Sequence, residues 1–320
     1  MTLALRLVQT GPVLMLALVV VVMSALSPFF LTERNITNLG FQTSIVAMLA
    51  LGQLLVILTR GIDLSVGAVV ALGGVLGGIV AGGAAGGSTS SHGALVIVAM
   101  LACGAGVGLL NGTILIAGRV MNPFIVTLGM LSIVRGVALV VSDAQTVTGM
   151  PAAVQTAGTG LIGPLPVPAV LVAALALVAW VVLTRTPWGR WIYAVGGDPD
   201  AARRVGIPVD RVLLSVYVLC GLAAGVAAML VAGRTNAGSP TAGQLLELDA
   251  ITAVVIGGAS FFGGRGTVLG VFAGVLIMGL LRNGLNLNNV SVFWQQVLIG
   301  MVIILAVYID VLRRRASTRR

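Results

Sequence analysis

Apolar runs of about 20 residues recur along this chain, each long enough to cross a hydrocarbon core of about 30 Å at 1.5 Å per helical residue. Inside a bilayer a backbone N–H or C=O has no water to bond, so such a run must satisfy itself by coiling into a helix. The charge content agrees. Of 320 residues 58% are hydrophobic and 8% are charged, against roughly 25% charged in a soluble domain. The fold class that follows is an all-α polytopic membrane protein.

Eight runs read as spans, at 12–31, 42–59, 65–81, 94–117, 122–142, 167–183, 212–232 and 292–311. Two shorter pieces, 250–262 and 267–281, flank the turn GGRG and bring the segments to ten. Their length suits a re-entrant or tightly buried pair rather than two full spans. The polar stretch TERNITN, the loops 82–93 and 143–166, and the segment 184–212 read as connections. A secretory signal carries an apolar region of only about 7–15 residues, so the first run is expected to be a retained helix.

The 18 basic residues are all arginine. Without lysine there is no Walker A loop and no Schiff base. With the N-terminus inside, Arg6, Arg119, Arg185, Arg190, Arg203, Arg204, Arg211 and the five arginines from Arg313 onward are cytoplasmic. Only Arg34, Arg234 and Arg282 are then outside, with Arg60 and Arg265 in turns of either side and Arg135 within a span. That asymmetry places both termini in the cytoplasm. The expected organisation is one transmembrane domain over 1–320, with a cytoplasmic loop at 185–211 and a basic cytoplasmic tail at 313–320. No basic patch interleaved with aromatics appears, so nucleic acid is not an expected partner, whereas membrane lipid is.

Glycines at 104, 108 and 112 make successive GxxxG steps, and the pairs 73/77, 221/225 and 270/274 repeat the spacing, as close helix packing requires. Cys103 and Cys220 stand alone in separate apolar runs, and His92 lies in a Gly/Ser-rich loop, so neither a metal site nor a catalytic group is expected. The turns around Arg60-Gly61 and Arg265-Gly266 are similar in outline and suggest an internal repeat, which chance likeness of composition would also produce.

Within 184–212, Asp198 is an N-cap residue, Pro199 suits the first helical position, and Gly206 followed by Pro208 is a stop. These signals predict a helix over 199–205, with Asp198 and Asp200 at its positive end and Arg203 and Arg204 at its negative end. So short a helix is marginal alone and needs a surface to lie on. Ala201, Ala202 and Val205 are expected to form one small apolar face for another protein's groove; the plainer alternative is a solvated loop with a fortuitous cap.

Buried ionisable groups mark function in membranes, and here they are few. Arg135 lies within a span and reads as a structural counter-charge that snorkels outward. Gln53, Asn111, Asn122, Thr127 and Ser132 sit in or beside apolar helices. Each is explicable as interhelical glue; together Gln53, Asn111, Asn122 and Thr127 suit a path for a neutral, hydroxyl-rich solute.

Four stretches carry a family likeness: LGQLLVILTRGIDLSVGAVVAL (51–72), NPFIVTLGMLSIVRG (122–136), GRWIYAVGGDPDAARRVGIPV (189–209) and ELDAITAVVIGGASFFGGRGTVLG (247–270). In this order they resemble the ribose-type permease subunits of ABC importers, a likeness that runs over about 35–311. The resemblance implies a bacterial inner-membrane subunit that pairs with a second copy or a close paralogue. It also implies that the subunit takes a monosaccharide from a periplasmic sugar-binding protein and couples to cytoplasmic ATP-binding subunits. ATP is then used by the partners, and this chain needs no cofactor and has no ATPase site. The family's coupling segment maps onto 189–209, so Asp198, Pro199, Ala201, Ala202, Arg203, Arg204, Val205 and Gly206 become the expected coupling residues. The alternative class is a self-sufficient secondary transporter. The lack of a mid-span carboxylate argues against proton coupling, but sodium held by backbone carbonyls would leave no such mark.

Overall fold

The computed structural model describes residues 3–83, 91–119 and 122–318. Most of the expected loop at 82–93, the His92 side chain, and Arg319 and Arg320 of the basic tail lie outside the described part. Thirteen helices follow in order among the described residues: α1 (Leu3–Leu26), α2 (Glu33–Leu58), α3 (Val66–Gly83), α4 (Ser91–Ala117), α5 (Pro123–Val141), α6 (Ala152–Thr159), α7 (Val167–Arg185), α8 (Pro187–Gly197), α9 (Pro199–Arg204), α10 (Val209–Thr235), α11 (Leu246–Ile256), α12 (Val268–Leu287) and α13 (Val292–Thr318). Six of them, α2, α4, α5, α7, α10 and α12, are long and apolar enough to cross a membrane. Shorter apolar stretches occur at Leu14–Leu26, Val66–Gly82 and Val292–Leu305. The chain is an all-α polytopic membrane protein.

α2 is the axis. From Ala47 to Leu58 every residue is buried, as expected for a helix that is apolar all round. It is surrounded by α7, α10, α11 and α12. α10 lies against α4 with their GxxxG faces in register: a Cβ on Gly104 would strike the Gly221 carbonyl, one on Gly221 the Gly104 carbonyl, and one on Gly108 the Tyr217 carbonyl. Only glycine allows backbones this close, and the dense packing it permits holds helices together where lipid is as apolar as leucine.

Several expected connections turn out to be folded. TERNITN is not a linker, since Thr32 caps α2 and the following residues form its first turns. Their polarity is absorbed by Asn35, which exchanges two hydrogen bonds of 2.8 Å with Asn283 of α12 and gives another to the Phe30 carbonyl. The same pairing, together with an ion pair from Arg282, explains why α12 runs on through its polar end to Leu287 instead of stopping at 281. The stretch 143–166 holds α6 and two short antiparallel pairings: Leu161–Ile162 with Leu165–Pro166, and Val147–Thr148 with Ala237–Gly238 after α10. α6 is seated by Val154, which is fully buried, and by Gly158, whose missing side chain admits the Gly233–Arg234 backbone. Residues 187–197, expected as loop, form the amphipathic helix α8. Thr186 caps it by accepting from the Gly189 N–H at 3.2 Å, and Ile192 and Val195 turn inward. α11 stays short, as expected, at 11 residues.

Candidate coupling junction

α9 begins and ends where its caps dictate. The Asp198 carboxylate accepts from the N–H groups of Asp200 (2.9 Å) and Ala201 (3.0 Å), and Pro199 occupies the first turn. These backbone donors, with Arg60 and Arg204 nearby, hold the Asp198 carboxyl below the usual carboxylate range. Val205 is the C-cap rather than the last helical residue. Gly206 then turns left-handed, with φ +84°, and donates to the Arg203 carbonyl at 3.0 Å, the geometry that ends helices on glycine. Arg203 pairs with Asp210 at 2.5 Å across solvent, an exposed bridge of about 0–1 kcal/mol.

The expected single apolar face is split, which is a correction. Ala202 is 3% exposed and faces this chain, whereas Val205 is 76% exposed and Ala201 also points outward. A six-residue helix lying on its own protein can offer only its far side to a partner. That side carries Ala201, Arg203, Arg204 and Val205.

The end of α8, from which α9 departs, is seated on two turns far apart in sequence. Arg60, in the turn after α2, donates from Nε to the Gly196 carbonyl at 2.6 Å and from Nη2 to the Gly197 carbonyl. The Gly264 N–H, in the turn between α11 and α12, donates to the Leu58 carbonyl at 2.9 Å. The Tyr193 hydroxyl donates to the Gly266 carbonyl at 2.8 Å. A Cβ on Gly196 would collide with the Leu58 carbonyl, and one on Gly263 would meet the Arg60 side chain. Residues 58–61, 193–198 and 263–266 therefore touch backbone to backbone, with α9 rising directly from the contact. The arrangement holds no nucleophile or paired acid and base. What it can do is pass a displacement of α9 to α2, α11 and α12 together.

One turn deeper lies a buried polar knot. Asp63, 1% exposed, accepts from the Ser65 N–H (2.9 Å) and hydroxyl (2.6 Å). Asn111 of α4 donates to the Ser65 hydroxyl at 2.9 Å and to the Asp63 carboxylate at 3.3 Å. Gln53 of α2 donates to the Asp63 carbonyl and accepts from its N–H at 3.4 Å, and Thr127 of α5 donates to the Ile62 carbonyl at 2.9 Å. Three of the four polar residues singled out for a solute path thus converge, fully buried, on the connecting segment 62–65. Asn122 stands apart as the exposed N-cap of α5, accepting from the Phe124 N–H at 3.2 Å, and Ser132 bonds its own helix. Arg135 does not snorkel: it binds the carbonyls of Pro240 (2.9 Å) and Ala242 (2.6 Å), fixing the loop that leads into α11. Among the described residues no His, Cys, Asp or Glu cluster could hold a metal, and both cysteines are free.

Arg60, Tyr193, Gly196 and Gly264 were not among the residues chosen from the sequence. For Arg60 and Gly264 the signal was the matching outline of the two Arg-Gly turns, and Tyr193 and Gly196 lie within the stretch 189–209 that carries the family likeness.

The chain matches, over residues 35–307, the family described as branched-chain amino acid transport system / permease component. It is 43% identical to the ribose import permease protein of Bacillus subtilis, over 94% of this chain and 92% of the relative. It is 41% identical to that of Escherichia coli K12, over 95% and 94%, and 39% identical to the fructose import permease protein of Rhizobium meliloti, over 88% and 79%. No solved structure gives a significant match.

Proposed function

The chain belongs to the family of branched-chain amino acid transport system permease components, and from that premise we propose that it is the membrane-spanning subunit of an ATP-driven importer for a neutral monosaccharide in a bacterial inner membrane. The sugar follows from the relatives, whose names specify ribose and fructose. Hydrolysis belongs to separate ATP-binding subunits, since this lysine-free chain offers no phosphate loop. A binding protein delivers the sugar from outside, and a second permease copy or a close paralogue completes the membrane unit.

The observation that carries this reading is α9 on its junction. A capped helix with an exposed outer side, leaving the point where the end of α8 meets two hairpin turns, is the part a transmission needs between an external motor and a membrane core. Asp198, Pro199 and Gly206 set its ends, Ala202 seats it, and Ala201, Arg203, Arg204 and Val205 meet the ATP-binding subunit. The topology proposed with it has ten membrane segments, α11 being the short one, and both termini cytoplasmic. It is supported by the sharing of one end of the bundle by the turns at 58–61, 193–198 and 263–266, while 147–149 meets 236–238 at the other.

The test is uptake by proteoliposomes holding this subunit with its ATPase and binding protein. Gly206→Pro forces φ to about −65° where the structure has +84°, so α9 loses its ending. Uptake should fall to background while the subunit still inserts. Normal uptake by inserted Gly206→Pro protein, or uptake by the unmodified subunit with no ATP present, would overturn the proposal.

A further inference from the structure

A cavity of about 330 Å3 opens between α2, α10, α11 and α12. None of Gln53, Asn111, Asn122 or Thr127 lines it. Its polar wall consists of Gln42 and Thr43 from α2, Arg234 from α10, Asp249 from α11 and Arg282 from α12. The volume lies at the lower end of the range of small-molecule sites, roughly 300–1,000 Å3, so only a small solute fits.

The wall has unused hydrogen-bonding capacity. Arg282 donates from Nη2 to the Asp249 carboxylate at 2.7 Å, yet its Nε is buried with no partner. Arg234 lies over the Phe41 ring at 5.6 Å, and its Nη1 is likewise buried and unpartnered. The exposed amide of Gln42 enters no hydrogen bond among the described residues. A buried charged donor left unpaired is costly and calls for an explanation such as a ligand. Thr43 is held against α12 by Gly279, where a Cβ would strike the Thr43 methyl, so this wall is fixed by backbone approach.

We propose that this cavity is the solute chamber, in which the Asp249–Arg282 pair and Gln42 hold a neutral polyhydroxylated ring. A hydroxyl both accepts and donates, so neighbouring hydroxyls satisfy a guanidinium and a carboxylate at once without leaving a charge unpaired. A carboxylated solute would compete with Asp249 for Arg282 and leave an acid buried without its partner. The chamber is also within reach of the junction. Asp249 sits at the start of α11 and the helix ends at Ile256, about 10 Å of rigid rod, after which the chain enters the turn that bonds Leu58. Movement of α9 would thus tilt one wall of the chamber.

This inference rests on the importer reading, and the test separates the two. Proteoliposomes with ATPase and binding protein are supplied with D-ribose, the sugar named in two of the relatives. Arg282→Gln and Asp249→Asn should lower uptake about 10-fold or more, and Gln42→Leu about threefold or more, each with ATPase stimulation by the loaded binding protein retained. Because a purely structural ion pair would also lose uptake when broken, a second measurement uses Gln42→Cys in a Cys103→Ala, Cys220→Ala background. Labelling by a membrane-impermeant maleimide should be slowed by D-ribose and not by D-ribonate. If the unmodified complex imports ribose while all three variants match its rate, or if labelling is indifferent to ribose, the chamber is refuted alone. Protection by ribonate in place of ribose would refute its preference for a neutral ring. A complex that imports no sugar at all refutes the importer reading instead.

Discussion

The two Arg-Gly turns look alike on paper and do different work. The turn after α2 puts the left-handed backbone on Arg60 itself, φ +66°, and directs its side chain into the carbonyls of Gly196 and Gly197. The turn between α11 and α12 puts it on Gly263 and Gly264, φ +77° and +70°, leaving Arg265 exposed with its carbonyl accepting from the Ser260 N–H at 2.9 Å. A left-handed non-glycine residue costs about 1–3 kcal/mol and persists only where its surroundings fix it. Arg60 is fixed by the last two carbonyls of α8. The first turn is therefore a latch held by a side chain, and the second is a seat formed by bare backbone.

Breaking the seat should have the largest effect. Gly196→Val places a branched side chain against the Leu58 carbonyl and the Gly264 N–H, so uptake should be abolished and membrane yield reduced. Gly197→Ala, whose Cβ meets nothing within 4 Å, should leave both unchanged. Equal behaviour of the two variants in uptake assays would show that the close approach is immaterial.

Opening the latch should come next. Arg60→Ala removes both hydrogen bonds to α8, and uptake should fall about 10-fold, as charge-assisted hydrogen bonds of this kind imply, while ATPase activity persists in the assembled complex. Arg265→Ala should stay within about twofold of the unmodified rate. Measuring sugar moved per ATP hydrolysed decides the matter, and equal losses at both arginines would erase the distinction between the turns.

Loosening the knot behind the latch should show in stability rather than in rate. Asn111→Leu withdraws a donor from Ser65 and Asp63 and should cost about 1–3 kcal/mol, visible as a lower Tm at near-normal uptake per folded molecule. A fall in uptake at unchanged Tm would return Asn111 to the solute path. The smallest effect is expected at Asp198: Asn is as good an N-cap as Asp and should preserve uptake, whereas Ala should lower it about twofold. Loss with Asn as well would assign the role to charge opposite Arg60 rather than to the cap.

What the sequence determined by itself was local in its physics. Run length and missing charge forced the membrane class, because each residue in a bilayer meets the same solvent. The caps of α9 were legible from Asp198, Pro199 and Gly206, because a cap bonds within a few residues. The GxxxG steps announced tight packing, though not that Gly104 and Gly108 would meet Gly221 and Tyr217. The tertiary structure alone decided which polar residues were loops, latches or glue. Asn35 looked like a linker and is helical because its partner Asn283 lies 248 residues away. Arg60 and Arg265 were indistinguishable until α8 met one of them 136 residues on. Gln53, Asn111 and Thr127 stand in apolar helices and so need partners, but those partners, residues 62–65, belong to a connecting segment with no pattern of its own. A polar side chain in a membrane must bond something, and its own sequence fixes only that need; the distant backbone that folding brings alongside fixes with whom.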